Sequence, residues 1–403
     1  MPEKPLKTLF HIDEKEYKQE YEHRYNDKDT LHLNVKIGDS PAFICQTPEI
    51  YKQIISIERL DKKVAEIFHS LPGVAIEQFT EKCLIDEIIL TNDIEGVHST
   101  RKEIGAILQD LSRQNKRNRF VGLVAKYDTL WHNQKTEFKT CQDIRKIYDD
   151  IFFDEIEAND PNNLPDGKIF RKEGVEVQSA SQKVIHKGLF PESLIIKVLE
   201  QSLSILNDDN IDIFIRIAVF HYLFGYIHPF YDGNGRTSRF ISSYILSKQI
   251  TPLIGFRLSY TIKENISKYY KAFDICNDPH NKGELTPFIE TFLDIVVKSM
   301  SQLLETLTEK KNKLNHYRKF IKRLPYAFKS DIYDLYDLLI KAALFSNIGI
   351  SRQELIIQME MSENSLRNKL SLIPKDLLIE NRQKSRKYYL LDLEQVDKLF
   401  DTI

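Results

Sequence analysis

The chain has 403 residues, and its 14 Gly and 14 Pro make up about 7% of it, against roughly 12% in an average protein. So few turn residues point to a mainly α fold of two or three domains and exclude a β-sandwich, a collagen-like chain or a low-complexity chain. Charged side chains are 29% of the total with a formal net of −2, so no global field draws the protein to nucleic acid or a membrane surface.

In chain order, the first 27 residues are charged throughout and lack the apolar core of a secretory signal, which predicts a cytoplasmic protein. Residues 1–45 show no strong period and read as an irregular arm. From Glu49 to about Asp110, apolar residues recur at helical spacing (Ile54, Ile57, Leu60, Val64, Ile67; then Leu84, Ile85, Ile88, Ile89). Helices are expected again over Leu123–Trp131 and Ile144–Phe153. Between Asn159 and Gly188 the pattern breaks, and the runs GKIFRK, VEVQ and KVIH suggest a β-hairpin. Cys45, Cys83, Cys141 and Cys276 lie far apart and form neither a zinc knuckle nor a disulfide framework.

Helical patterning resumes at Pro191. The segment Ile211–Ile227 is apolar on nearly every side, so it reads as the buried centre of a bundle; with Asp212, Arg216 and His221 inside it, it is too short and too polar to span a membrane. Further helices are expected over Arg239–Lys248, Thr261–Ile275 and Thr286–Arg323. The last carries seven basic residues and no acid from Lys310 to Arg323, which reads as a solvated face or a nucleic-acid patch. After Ser330 the order becomes helix, turn, helix, strand, wing, strand, beginning with the capping box Ser351-Arg-Gln-Glu354; this is the order of a winged helix-turn-helix. From Arg367 to Lys387 there are seven basic side chains and two acidic ones, a polarity that suits phosphate contacts and hence DNA, although such modules also bind protein.

The chemistry concentrates in His228-Pro-Phe-Tyr-Asp-Gly-Asn-Gly-Arg-Thr-Ser-Arg239. Gly233 and Gly235 allow a ligand to approach the main chain, and a helix beginning beside them offers free N–H groups and a positive dipole end. Arg236 and Arg239 share a face of that helix and present forks suited to phosphate oxygens. Asp232 could hold a divalent cation, and His228 is the nearby group whose ordinary pKa, about 6.5, suits proton transfer at neutral pH. A base, a carboxylate, an anion cradle and two arginines predict phosphoryl or nucleotidyl transfer. No GxxxxGK[ST] or HExxH is present, and the GxGxxG-like run lacks its third glycine and follows a helix rather than a strand.

These twelve residues closely resemble the signature HxFx[D/E]GNGRxxR of the Fic (Fido) family, with every fixed position filled. The resemblance implies a mainly α, Fic-type helical bundle over 139–300 with a β-hairpin flap, and transfer of AMP from Mg-ATP (cofactors ATP and Mg²⁺) to a Ser, Thr or Tyr hydroxyl of a target protein or of the chain itself. It makes His228 the base and Asp232 the Mg²⁺ ligand. Gly233, Asn234 and Gly235 become the phosphate cradle, Arg236 and Arg239 hold the triphosphate, and Phe230 anchors the loop. The hairpin residues Phe170, Arg171, Lys172, Val184 and Ile185 resemble the family's flap, which pairs with the target backbone. Asn265, Tyr269 and Tyr270 lie where such proteins contact adenine, or else pack in the core. Thr91-Asn-Asp-Ile-Glu95-Gly96 is similar to the family's inhibitory pattern [S/T]xxxE[G/N], with Thr91 and Glu95 on one helix face, which would bring the Glu95 carboxylate to Arg239 and spoil the geometry for in-line attack.

The expected organisation is therefore an N-terminal helical region (1–138) carrying an inhibitory helix at about 84–96, the Fic core (139–300), a helical linker (301–345) and a winged-helix domain (346–403). The leading function is an autoinhibited protein adenylyltransferase. The alternatives are removal of AMP at the same site, or a nucleotide-sensing regulator that binds DNA through the winged helix. No membrane partner is expected, and a homodimer stays open.

Overall fold

A computed structural model describes residues 4–111, 119–132, 134–178, 184–383 and 386–401, apart from the side chains of 177, 178, 184, 185, 400 and 401. The chain divides into two compact units, one of residues 1–61 and 87–300, the other of 62–86 and 301–403. None of the described helices is long and apolar enough to cross a membrane.

The N-terminal region is structured, contrary to the irregular arm expected for 1–45. Helices α1 (Leu6–Phe10) and α2 (Glu14–Asn26) precede an antiparallel hairpin of β1 (Thr30–Ile37) and β2 (Ser40–Cys45). Leu33, Val35 and Ile37 alternate inward along β1, and Gly38 turns the chain at φ 56°. Charge fixes this region to the rest of its unit: Arg24, almost wholly buried, pairs with Glu284 at 3.0 Å.

Helices α3 (Pro48–Ser70), α4 (Gly73–Ile94), α5 (Arg101–Gln109), α6 (Val121–Trp131) and α7 (Cys141–Asn159) follow. Of the expected β-hairpin, β3 (Glu176–Gln178) and β4 (Val184–Lys187) pair, and among the described residues the GKIFRK run before them forms no strand. Phe170 and Arg171 lie outside the paired strands and are buried. The turn before them is held by Glu192, whose carboxylate accepts the backbone N–H groups of Lys168, Ile169 and Phe170 at 2.7–3.0 Å. Next come α8 (Glu192–Leu206), α9 (Ile213–Ile227), α10 (Asn234–Gln249), α11 (Leu258–Glu264) and α12 (Ile266–Asn277). The single helix expected over Thr261–Ile275 is broken at Asn265, whose backbone is non-helical (φ −112°, ψ 23°). Helix α9 is the centre of the core as its composition predicted: nearly every residue from Phe214 to Ile227 is buried, and each of its large apolar side chains contributes about 1.5–3 kcal/mol.

In the second unit, residues 301–345 are not a separate linker: the end of α13 (Thr286–Phe320) and all of α14 (Ser330–Phe345) belong to the same compact unit as the C-terminal module. That module runs β5 (Ile350–Ser351), α15 (Arg352–Gln358), α16 (Glu363–Leu370), β6 (Leu378–Gln383), β7 (Arg386–Leu391) and α17 (Leu393–Asp401), with sheet order β5-β7-β6. Ser351 and Glu354 form the expected capping box. The basic patch is partly neutralised within the unit, since Arg382 and Lys387 both pair with Glu380, and Lys369 pairs with Asp331. Lys384 lies outside the described residues.

One buried carboxylate ties α4 to α11. Glu87 is fully buried and accepts both the N–H of Ser259 (2.9 Å) and its hydroxyl (2.6 Å). Burial raises its pKa from 4.5 to about 7, against the opposing pull of Ser259, Arg239 and Arg257. The folded state therefore holds a proton on Glu87 that the unfolded state releases between those values, so stability from this group is full below about 4.5 and declines as pH rises toward 7. Glu87→Gln should flatten that dependence, with wild type losing on the order of 3 kcal/mol relative to the variant between pH 4.5 and 8. Thermal unfolding across pH checks this; parallel curves for the two proteins would contradict it.

Candidate functional site

The site forms where α9 ends and α10 begins. His228 caps α9 in the left-handed region (φ 51°, ψ 63°), an unusual conformation for a residue with a Cβ, while its N–H still bonds to the Phe224 carbonyl. Buried Arg171 holds it there. Its Nε donates to the His228 carbonyl at 2.9 Å and its Nη2 to the Leu189 carbonyl at 2.8 Å. Arg171, expected in a target-binding flap, fastens the β4 exit to the loop that begins at His228. Burial lowers the His228 pKa to about 4, although the Glu95 charge pulls the other way. The imidazole is therefore neutral at pH 7, as a proton acceptor must be.

Between the helices, Phe230 is buried and stacks on Tyr148, with centroids 3.6 Å apart, as an anchoring residue should. The Asn234 side chain closes the loop, since its Oδ1 accepts the Phe230 N–H (2.9 Å) and its Nδ2 donates to the Phe230 carbonyl (2.8 Å). Its amide is thus engaged within the loop, and what Asn234 offers a ligand is its backbone. Gly233 enters α10 at φ 77°, and the first intrahelical bond runs from Thr237 N to the Gly233 carbonyl. The N–H groups of Asn234, Gly235 and Arg236 therefore have no partner within the helix. A Cβ at Gly235 would clash with the Glu95 carboxylate, and a Cβ at Gly233 would lie 3.3 Å from the Tyr148 ring.

Glu95 sits directly over this helix start. Its Oε1 accepts from Arg239 Nη2 at 2.7 Å, and Arg239 also donates Nε to Thr91 Oγ1 (2.8 Å) and Nη2 to the Thr91 carbonyl (3.0 Å). Helix α4 ends at Ile94, and Gly96 at φ 72° turns the chain so that Val97 N returns to the Asn92 carbonyl, which fixes Glu95 at the tip. Burial pushes the Glu95 carboxyl upward, but Arg239, Arg236 and His228 together outweigh it and hold it below the usual 4.5. It is an anion in a place built for one.

Arg236 is also fully buried. Its Nη1 donates to Glu155 at 2.8 Å and to Asn92 Oδ1 at 3.4 Å, its guanidinium lies 4.4 Å from the Phe152 ring centre, and its Nε and Nη2 find no hydrogen-bond partner among the described residues. Glu155 escaped the sequence reading because it lies among the solvated acids of α7. It is nonetheless on the buried face with Ile144, Ile147, Tyr148, Ile151 and Phe152, and an acid at that register was the available signal. Asp232, half exposed, accepts the Gly233 N–H at 2.5 Å and leaves its other oxygen 3.8 Å from Arg236 Nη2.

The remaining expected residues divide. Tyr269 takes the core alternative: it is buried, and its hydroxyl lies 2.7 Å from His221 Nε2. Burial also drives the His221 pKa down to about 3. Tyr270 is exposed, and Asn265 is held by the Thr261 carbonyl and Lys298. Lys172 is exposed, with its N–H on Asp166; Val184 and Ile185 contribute backbone to β4, and their side chains lie outside the described residues. No group of His, Cys, Asp and Glu among the described residues could hold a metal by protein ligands alone. A cation here would need phosphate oxygens beside Asp232.

Residues 138–246 match the profile of the Fic/DOC family. Proteins named protein adenylyltransferase Fic from Aedes aegypti and Drosophila ananassae are each 26% identical to this chain, over 265 and 260 residues; the matched segments take in 62% of this chain in both cases and 48% and 47% of the relatives. The chain thus matches about half the length of these relatives. The crystal structure of a Fic family protein from Desulfovibrio desulfuricans shares the fold, with a TM-score of 0.51 over 86% of this chain and 96% of the other at 19% identity.

Gly188 makes the anchoring of His228 testable. A Cβ there would lie 2.5 Å from Arg171 Nη2, 2.8 Å from Val175 Cγ2 and 3.1 Å from His228 Cβ, whereas a Cβ at Gly174 meets no atom of the described residues within 4 Å. Gly188→Ala should destabilise the protein by about 1–3 kcal/mol, and Gly174→Ala should leave it unchanged. Chemical denaturation compares them; equal midpoints would contradict the close packing of Gly188 against Arg171, Val175 and His228.

Proposed function

We propose that this Fic-domain protein is a protein adenylyltransferase, transferring AMP from ATP to a protein hydroxyl, and that Glu95 holds it inactive. The observation that carries the reading is the occupancy of the α10 start by a carboxylate bonded to Arg239, in the place a triphosphate would need.

The residues fit the reaction. Neutral His228 accepts the proton of the target hydroxyl. The hydroxyl oxygen bonds to the α-phosphorus, the bond from that phosphorus to the β-phosphate oxygen breaks, and pyrophosphate leaves. The N–H groups of Asn234, Gly235 and Arg236 and the positive end of α10 stabilise charge on the phosphates without reorganising. The orphaned Nε and Nη2 of Arg236 are buried donors suited to phosphate oxygens. Asp232 would hold Mg²⁺ with phosphate oxygens completing its shell, and the ion would neutralise phosphate charge. Edges of the β3–β4 hairpin, just before Gly188 and joined to His228 through Arg171, suit the backbone of a target segment.

Inhibition follows from charge and space. Arg239 is engaged by Thr91 and Glu95, so a γ-phosphate finds neither its guanidinium nor the volume above Gly235. A nucleotide displaced from there does not present its α-phosphorus in line with the target oxygen.

With labelled ATP and Mg²⁺, Glu95→Gly should raise self-labelling or target labelling at least about tenfold, and adding His228→Ala should lower it by about 10²–10⁴-fold. Equal labelling of all forms would contradict both roles. In the Glu95→Gly protein the rate should stay level from about pH 8 down to about pH 5, because the His228 pKa is far below its ordinary value. An acid limb centred near 6.5 would contradict that environment.

A further inference from the structure

The two arginines of α10 are held differently, and the partner of Arg236 has no part in the scheme above. Glu155 on α7 is 7% exposed and its ion pair with Arg236 is fully desolvated. A buried guanidinium requires a counter-charge, and removing one leaves the other uncompensated and drives it toward any anion within reach. The nearest alternative is Asp232, whose Oδ2 stands 3.8 Å from Arg236 Nη2, beyond hydrogen-bonding distance. On the other side, Nη1 is drawn to Glu155 at 2.8 Å, and the Phe152 ring supports the guanidinium face. Arg236 is thus suspended between two carboxylates and bonded to the inner one.

This arrangement decides what Asp232 can do. Were the guanidinium to close the remaining gap, it would bond the oxygen that a divalent cation requires, and its charge would repel that cation. Glu155 prevents both by drawing the guanidinium inward and neutralising it. We propose that Glu155 is a positioning residue that holds Arg236 back from Asp232 and so keeps this carboxylate available to the divalent cation that accompanies the nucleotide. The inference rests on the reading of Asp232 as the cation ligand and adds to it a requirement on a different helix. Further orphaned atoms lie in the same buried layer: Glu155 Oε2, the Tyr148 hydroxyl, and Arg236 Nε and Nη2. Only one oxygen of Glu155 is engaged, so the ion pair is a restraint on direction and leaves donors of Arg236 for phosphate.

The test is a double-mutant cycle on the full chain, read by calorimetric binding of ADP across a Mg²⁺ series, which needs no turnover. In wild type, ADP binding should tighten as Mg²⁺ rises. Glu155→Gln should raise the Mg²⁺ concentration for half-maximal tightening at least tenfold without weakening ADP binding in the absence of Mg²⁺. Asp232→Asn should abolish the tightening, and the double variant should behave as Asp232→Asn alone. Glu155→Asp, which keeps the charge, should fall between wild type and Glu155→Gln, and it carries the test if Glu155→Gln does not fold. An unchanged Mg²⁺ requirement in Glu155→Gln, with Asp232→Asn still abolishing the tightening, overturns the role of Glu155. So does an equal loss of ADP affinity with and without Mg²⁺, which is what general damage to the loop would give. If Asp232→Asn leaves the tightening intact, the cation role itself fails and the proposal with it.

Discussion

Everything in the site depends on the start of α10, where a positive helix end and two buried guanidinium groups meet within six residues. Positive charge of that density cannot stay buried without anions around it. The protein supplies them from three separate elements: Glu95 beyond the end of α4, Glu155 within α7, and Asp232 in the loop. Each sits differently. Glu95 lies over the free N–H groups, Glu155 beneath the helix, and Asp232 at the half-exposed rim. In the proposed reaction a triphosphate takes over part of this balance, so the contact that inhibits and the contact that binds substrate are alternatives for the same cations.

Geometry around His228 follows from the same junction. Helix α9 is apolar all round and fixed in the core, so its last residue can be placed accurately, and the left-handed backbone at His228 turns the chain at once into the glycine-containing loop before α10. That strained conformation persists because Arg171 ties the His228 carbonyl to the strand exit at Leu189. Burial of the imidazole then keeps it unprotonated at neutral pH. Position and pKa therefore have one cause, the packing of the loop between α9, α7 and the hairpin.

Much of this was legible in the sequence, for identifiable reasons. The loop His228–Arg239 combines glycines, a base and paired cations that no ordinary helix junction needs. The central helix announced itself through a period-free apolar run, and the capping box at Ser351 is a local signal that tertiary contacts rarely override. Glu95 stood out only through its resemblance to a family pattern, because a Thr and a Glu four residues apart on one helix face are by themselves unremarkable. What escaped were residues whose role is set by distant partners. Glu155 and Glu87 look like ordinary helix acids until their faces are known to be buried, and Arg171 looked like a strand residue until its guanidinium was seen on three backbone carbonyls. The N-terminal hairpin was readable in the alternation of Leu33, Val35 and Ile37, but the charged stretch before it obscured the period.

In the proposed reaction Glu95 and the γ-phosphate compete for Arg239, and binding of ADP against ATP in the presence of Mg²⁺ reads that competition. In wild type, with Arg239 engaged, the added phosphate should improve binding by no more than about twofold. In Glu95→Gly it should gain a charge-assisted contact of about 1.5–3 kcal/mol, making ATP at least tenfold tighter than ADP. The same ATP-to-ADP ratio in both proteins would show that Glu95 and the γ-phosphate do not compete for Arg239, and would contradict the account.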